Sequence, residues 1–113
     1  MSARSVLRIV GDVAVVDCYG SFKLGEGTNM FREALNDLLK RRWRYILINF
    51  TDARYIDSST VTELLNARTK ASDSGAVLKL LNLPKRLQDP GLALKLCSEI
   101  ETLDDEAKAL ASF

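Results

Sequence analysis

The chain has 113 residues, 47% of them hydrophobic and 27% charged, with 16 basic and 15 acidic residues and a formal net charge of +1. That length makes one domain, residues 1–113, which buries roughly two thirds of the surface exposed by the unfolded chain. A charge so near zero excludes a global field that would gather nucleic acid or an acidic membrane, and no run of about 18 apolar residues is present to span a bilayer.

The first five residues, Met1 to Ser5, lack the apolar core of a secretory signal, so a cytoplasmic location is expected. Histidine is absent, which removes the usual general base, the usual zinc ligand and every Ser-His or Cys-His nucleophile pair. Cys18 and Cys97 have neither CxxC nor metal spacing and read as buried, reduced thiols. No metal or cofactor is expected, and no enzymatic activity of the chain itself.

In chain order, Val6–Val10 and Val13–Tyr19 are β-branched runs separated by Gly11-Asp12, a glycine-first loop that suits a type II′ hairpin. Residues 20–27 hold three glycines and predict a loop. That loop lacks the Gly-Lys-Ser/Thr ending of a nucleotide-binding P-loop. Thr28 or Asn29 is the expected cap of a helix whose apolar stripe is Phe31, Ala34, Leu35, Leu38 and Leu39. The basic cluster Lys40–Arg44 at its end suits a partner or, more simply, the carbonyl end of the helix dipole, with Trp43 half-buried.

Tyr45–Phe50 is apolar without alternation, the pattern of a central strand covered on both faces. After Thr51–Arg54 comes Tyr55-Ile56-Asp57-Ser58-Ser59-Thr60-Val61. A helical pattern then places Val61, Leu64, Leu65 and Arg68 at i, i+3, i+4 and i+7, running to about Ser72, with Gly75 as a left-handed C-terminal cap. The apolar strand Ala76–Leu81 completes a parallel βαβ unit. Pro84 suits the first position of a short helix over Lys85–Gln88, broken by Asp89-Pro90-Gly91. Leu92–Leu96 reads as another helical turn leading to an edge strand near Glu99–Glu101, and Asp104–Ala111 as a terminal helix. The fold class is α/β: a small mixed sheet, N-terminal antiparallel hairpin first and parallel βαβ units after it, with helices packed against it.

The hydroxyl-rich segment holds the candidate site. Asp57, Ser58, Ser59 and Thr60 can each accept a hydrogen bond from the unpaired first-turn N–H groups, where one or two would be enough to cap. Two readings compete. Thr60-Val61-Thr62-Glu63 forms a capping box, with the serines as ordinary turn residues. Alternatively, a hydroxyl at the positive end of the helix is placed to carry a phosphate.

A strand, a hydrophobic residue and then Asp57-Ser58-Ser59 ahead of an amphipathic helix resembles the signature of the STAS domain family, in particular the bacterial anti-sigma factor antagonists. The resemblance covers nearly the whole chain in element order, with this segment as its specific motif. It implies that a kinase-type anti-sigma factor binds the chain, releases its sigma factor, and phosphorylates Ser58, with Ser59 and Thr60 as lesser candidates and a phosphatase to reverse the step. The expected partner-binding residues are Asp57, Ser58, Ser59, Thr60 and Lys23. Thr60 stands where the family usually has glycine, and Lys23 where many members have aspartate. The same resemblance also admits a STAS scaffold or accessory module in a signalling or transport complex, without a phosphate cycle. A nucleotide-binding enzyme would need a phosphate loop and a catalytic acid or base that the sequence does not supply.

Overall fold

The structure is a computed structural model and describes residues 2–84 and 90–113. Strands β1 (Arg4–Val10) and β2 (Val13–Phe22) form the expected antiparallel hairpin, paired from Arg4 with Tyr19 to Val10 with Val13. Gly11 has φ +61°, the left-handed conformation that the first position of a type II′ turn requires and that glycine adopts without a Cβ penalty.

There follow α1 (Glu26–Lys40), β3 (Tyr45–Ile56), α2 (Ser58–Asp73), β4 (Val77–Leu81), α3 (Pro90–Glu99), β5 (Thr102–Leu103) and α4 (Glu106–Ala111). The sheet order is β1-β2-β3-β4-β5, with every pairing after the hairpin parallel. This is the mixed sheet the sequence predicts, and β3 occupies its centre with Ile46–Phe50 buried. One face carries the larger core, in which Val16, Ile48 and Leu80 of the sheet meet Phe31, Leu35 and Leu38 of α1, Val61 and Leu64 of α2, and Leu96 of α3. The other face is covered by α4, whose Ala109 packs with Val13, Val15, Leu47 and Leu81.

Two strands run beyond their apolar cores. β2 continues from Tyr19 to Phe22 and β3 from Phe50 to Ile56, because the extensions pair with each other: Gly20 with Ala53, Ser21 with Tyr55 and Phe22 with Ile56, past two register irregularities. The predicted 20–27 loop therefore shrinks to residues 23–25. Helix α1 begins at Glu26 behind Gly25, ahead of the expected caps. Thr28 is inside the helix, where its hydroxyl accepts from the Gly25 N–H at 3.1 Å. Gly27 lies against the strand: a Cβ there would stand 2.9 Å from Phe22 Cα, so glycine lets the helix start this close to β2.

Helices α1 and α2 end in the same motif. Gly75 (φ +75°) donates to Ser72 O and Ala76 N to Ala71 O; Arg42 (φ +65°) donates to Leu39 O and Trp43 N to Leu38 O. The first was expected at Gly75; the second sets an arginine where glycine is usual, and Trp43 is half-buried beside it.

The C-terminal third departs further from expectation. α3 is a ten-residue helix that starts at Pro90, because proline at a first helical position gives up an N–H that has no partner there anyway. The edge strand accordingly falls at Thr102–Leu103 rather than at Glu99–Glu101. The helix expected over Lys85–Gln88, and Asp89, lie outside the described residues. Both cysteines are free; Cys18 is buried, and burial pushes its thiol pKa up, whereas Cys97 on α3 is exposed, contrary to expectation. Among the described residues no helix is long and apolar enough to cross a membrane.

Candidate functional site at the start of the central helix

The adjacent parallel strands β2 and β3 end together, at Phe22 and Ile56, and each gives way to a helix within a few residues. In open α/β sheets such carboxyl ends are where functional groups collect. The Asp57 N–H donates to Phe22 O at 3.1 Å, extending the strand contact by one bond. Asp57 is itself extended (φ −93°, ψ 177°) and is the N-cap, with Ser58, Ser59 and Thr60 as the first three residues of α2.

The Asp57 carboxylate gathers the site. Its Oδ1 accepts from the Thr60 N–H at 2.9 Å and from the Ser59 hydroxyl at 2.5 Å, and its Oδ2 accepts from the Leu24 N–H at 3.0 Å. The Thr60 hydroxyl lies 3.0 Å from Phe22 O and 3.1 Å from Asp57 Oδ1, so its one proton can serve either. Partial burial acts to raise the Asp57 pKa, but hydrogen bonds from Ser59, Thr60 and Leu24 outweigh it and hold the carboxyl below its ordinary value. The carboxylate stays ionised at neutral pH and ties α2 to the 23–25 loop.

The expected capping box therefore does not form. Asp57 takes the capping position, Thr60 turns inward, and Glu63 is engaged elsewhere: Arg32 of α1 donates to both of its carboxylate oxygens at 2.9 Å. Four consecutive residues able to cap made the start of the helix ambiguous in sequence. The pairing of Ile56 with Phe22 decides it.

The predicted residues do come together, in different environments. Ser58 and Ser59 are half-buried, Thr60 is 0% exposed and Lys23 is exposed. Lys23 Nζ stands 5.9 Å from the centroid of the Tyr55 ring. Sequence reasoning missed Leu24, held by Asp57 through its backbone and 79% exposed, although a leucine between lysine and glycine in a short loop is a recognisable signal. It also missed the Phe22 carbonyl, which no side-chain pattern announces.

A second polar group lies on the sheet face that carries α4. Arg8 bridges Asp17 (2.9 and 3.1 Å) and Glu106 (2.5 and 3.0 Å), and Asn49 donates to Asp17 Oδ1 at 2.8 Å. The Arg8 guanidinium holds the Glu106 carboxyl below its ordinary value; at Asp17, burial pushes upward but the bonds from Arg8 and Asn49 prevail. These contacts fasten the C-terminal helix to the hairpin.

The sequence profile of the STAS domain matches residues 6–109. The chain belongs to the STAS domain family. No curated protein sequence matches it. Among solved structures, this STAS domain is similar to a protein of Thermotoga maritima assigned provisionally as an anti-sigma factor antagonist, at TM-score 0.83 and 18% identity, covering 96% of this chain and 92% of that one. It is similar to an anti-sigma factor antagonist from Mycobacterium paratuberculosis, at TM-score 0.80 and 13% identity over 98% and 93% of the two chains. It is also similar to the Bacillus cell fate determinant SpoIIAA in its phosphorylated form, at TM-score 0.70 and 16% identity over 97% and 100%. The STAS fold, with its antiparallel hairpin and otherwise parallel five-stranded sheet, is common to all three.

Proposed function

We propose that this STAS domain is a cytoplasmic anti-sigma factor antagonist, a binding module without catalysis of its own, switched by phosphorylation at Ser58. Unmodified, the start of α2 and the neighbouring 23–25 loop dock onto a kinase-type anti-sigma factor and displace its sigma factor. The partner transfers the γ-phosphoryl group of ATP to the Ser58 oxygen, releasing ADP and the hydroxyl proton, and a phosphatase returns the serine. The added group brings about −1.5 to −2 charges to the centre of the docking surface, so partner surfaces that fitted the neutral serine become repulsive.

The observation that supports Ser58 over its neighbours is the division of labour in the first turn. Thr60 is buried with its hydroxyl against Phe22 O, the Ser59 hydroxyl turns back to the cap at Asp57, and Ser58 is the residue directly after the capping aspartate, half-buried at the first helical position beside the carboxyl ends of β2 and β3. That SpoIIAA has been solved in unphosphorylated and phosphorylated forms supports the same reading.

The test uses a kinase-type anti-sigma factor from the same cells. It should modify the wild type and not Ser58→Ala. Ser58→Asp should bind it at least a hundredfold more weakly, which corresponds to about 3 kcal/mol, with an unchanged circular dichroism spectrum. Binding of Ser58→Asp as tight as wild type would overturn the switch and favour the scaffold reading.

A further inference from the structure

The 23–25 loop carries a cation with no carboxylate within ion-pair distance among the described residues. Lys23 is exposed, and its ammonium rests near the Tyr55 ring, 5.9 Å from the centroid, a weak contact at an exposed site and easily given up. Its backbone is fixed on both sides by residue 57: Phe22 O accepts from the Asp57 N–H at 3.1 Å, and the Leu24 N–H donates to Asp57 Oδ2 at 3.0 Å. Lys23 thus stands about one strand spacing, ~4.8 Å, from the residue immediately before Ser58. Its flexible four-carbon stem spans on the order of 6 Å, enough to cover the first turn of α2. Arg32, the cation that α1 brings against α2, is already held by both oxygens of Glu63. A dianion on Ser58 would add negative charge next to the Asp57 cap, within reach of the Lys23 stem.

We infer that Lys23 is the phosphate-binding residue of the modified protein: its ammonium leaves the Tyr55 ring and donates a charge-assisted hydrogen bond to a phosphoryl oxygen on Ser58. The modified serine is then held against the 23–25 loop, and the pair presents a partner with a changed surface around Leu24. This rests on Ser58 being the modified residue.

Phosphoserine installed at position 58 of the full chain by genetic encoding tests the contact without a kinase. In a phosphorus-31 NMR pH titration, the second ionisation of the phosphate should fall about half a pH unit lower in the wild type than in Lys23→Met, as expected for one exposed ion pair, and Lys23→Arg should restore the lower value. Circular dichroism of the unmodified variants checks the fold. Superimposable titrations of wild type and Lys23→Met would overturn the inference. Because the phosphoserine is genetically encoded and not made by a kinase, that result would leave the switch standing, whereas mass spectrometry finding no phosphate on Ser58 in protein from its own cells would count against the switch and not against the contact.

Discussion

Helices α2 and α4 both begin behind an extended aspartate. Asp57 accepts from the Thr60 N–H at 2.9 Å and Asp105 from the Lys108 N–H at 3.0 Å, the same local bond in each case. What distinguishes them is their other attachments. Asp105 is an exposed cap for a six-residue helix. Asp57 also holds the Ser59 hydroxyl and the Leu24 amide, and its own N–H reaches β2, so one residue joins a strand, a loop and a helix. An ordinary cap stabilises its helix; this one also fixes the backbone of the 23–25 loop against the first turn of α2.

The contrast can be broken most directly by truncation. Asp57→Ala should cost about 3 kcal/mol in denaturant unfolding, the loss of a cap together with charge-assisted bonds to the loop and to Ser59, whereas Asp105→Ala should cost about 1 kcal/mol. Equal costs would mean that the bond to Leu24 contributes nothing. Next in size, Thr60→Val keeps the packing volume but removes one of the two donors to Phe22 O, which keeps the Asp57 N–H; a loss of about 1 kcal/mol is expected from thermal unfolding, with the first-turn amide of residue 60 still protected in hydrogen exchange.

The smallest effect is in pH dependence. Asp57, Asp17, Glu63 and Glu106 all have folded pKa values below their ordinary ones, so the unfolded chain takes up protons first as pH falls. Their contribution is fully present above the ordinary carboxylate range, about pH 4, and is lost as pH drops through and below it. Asp57→Asn should flatten that acid limb by about a fraction of a kcal/mol in acid unfolding followed by circular dichroism.

Much of this architecture is legible in the residues. The hairpin follows from Gly11-Asp12, the central strand from the unbroken apolar run before Phe50, and the end of α2 from Gly75, because each is decided by local conformation or by burial along one segment. The parts that escape local reading depend on a distant partner. β3 continues past Phe50 through Thr51 and Asp52 because β2 offers a register there, and Thr60 looks like a cap until Ile56 is seen paired with Phe22. Asp17 sits in a β-branched run with nothing to indicate that Arg8, Asn49 and, through Arg8, Glu106 converge on it. Proline at position 90 reads as a breaker when its neighbour is glycine, yet it opens α3. At the candidate site the residue types were visible; which hydroxyl faces inward was settled by tertiary contacts.

The brevity of the link between β2 and α1 has a thermodynamic consequence. Gly27 clamps the helix onto Phe22, and Asp57 fixes the middle of the link, so the backbone beneath the protruding Leu24 has almost no freedom left to lose. A protein that closes over this leucine meets a pre-organised knob, and little chain entropy is forfeited on association. Such an encounter would proceed as rigid-body docking.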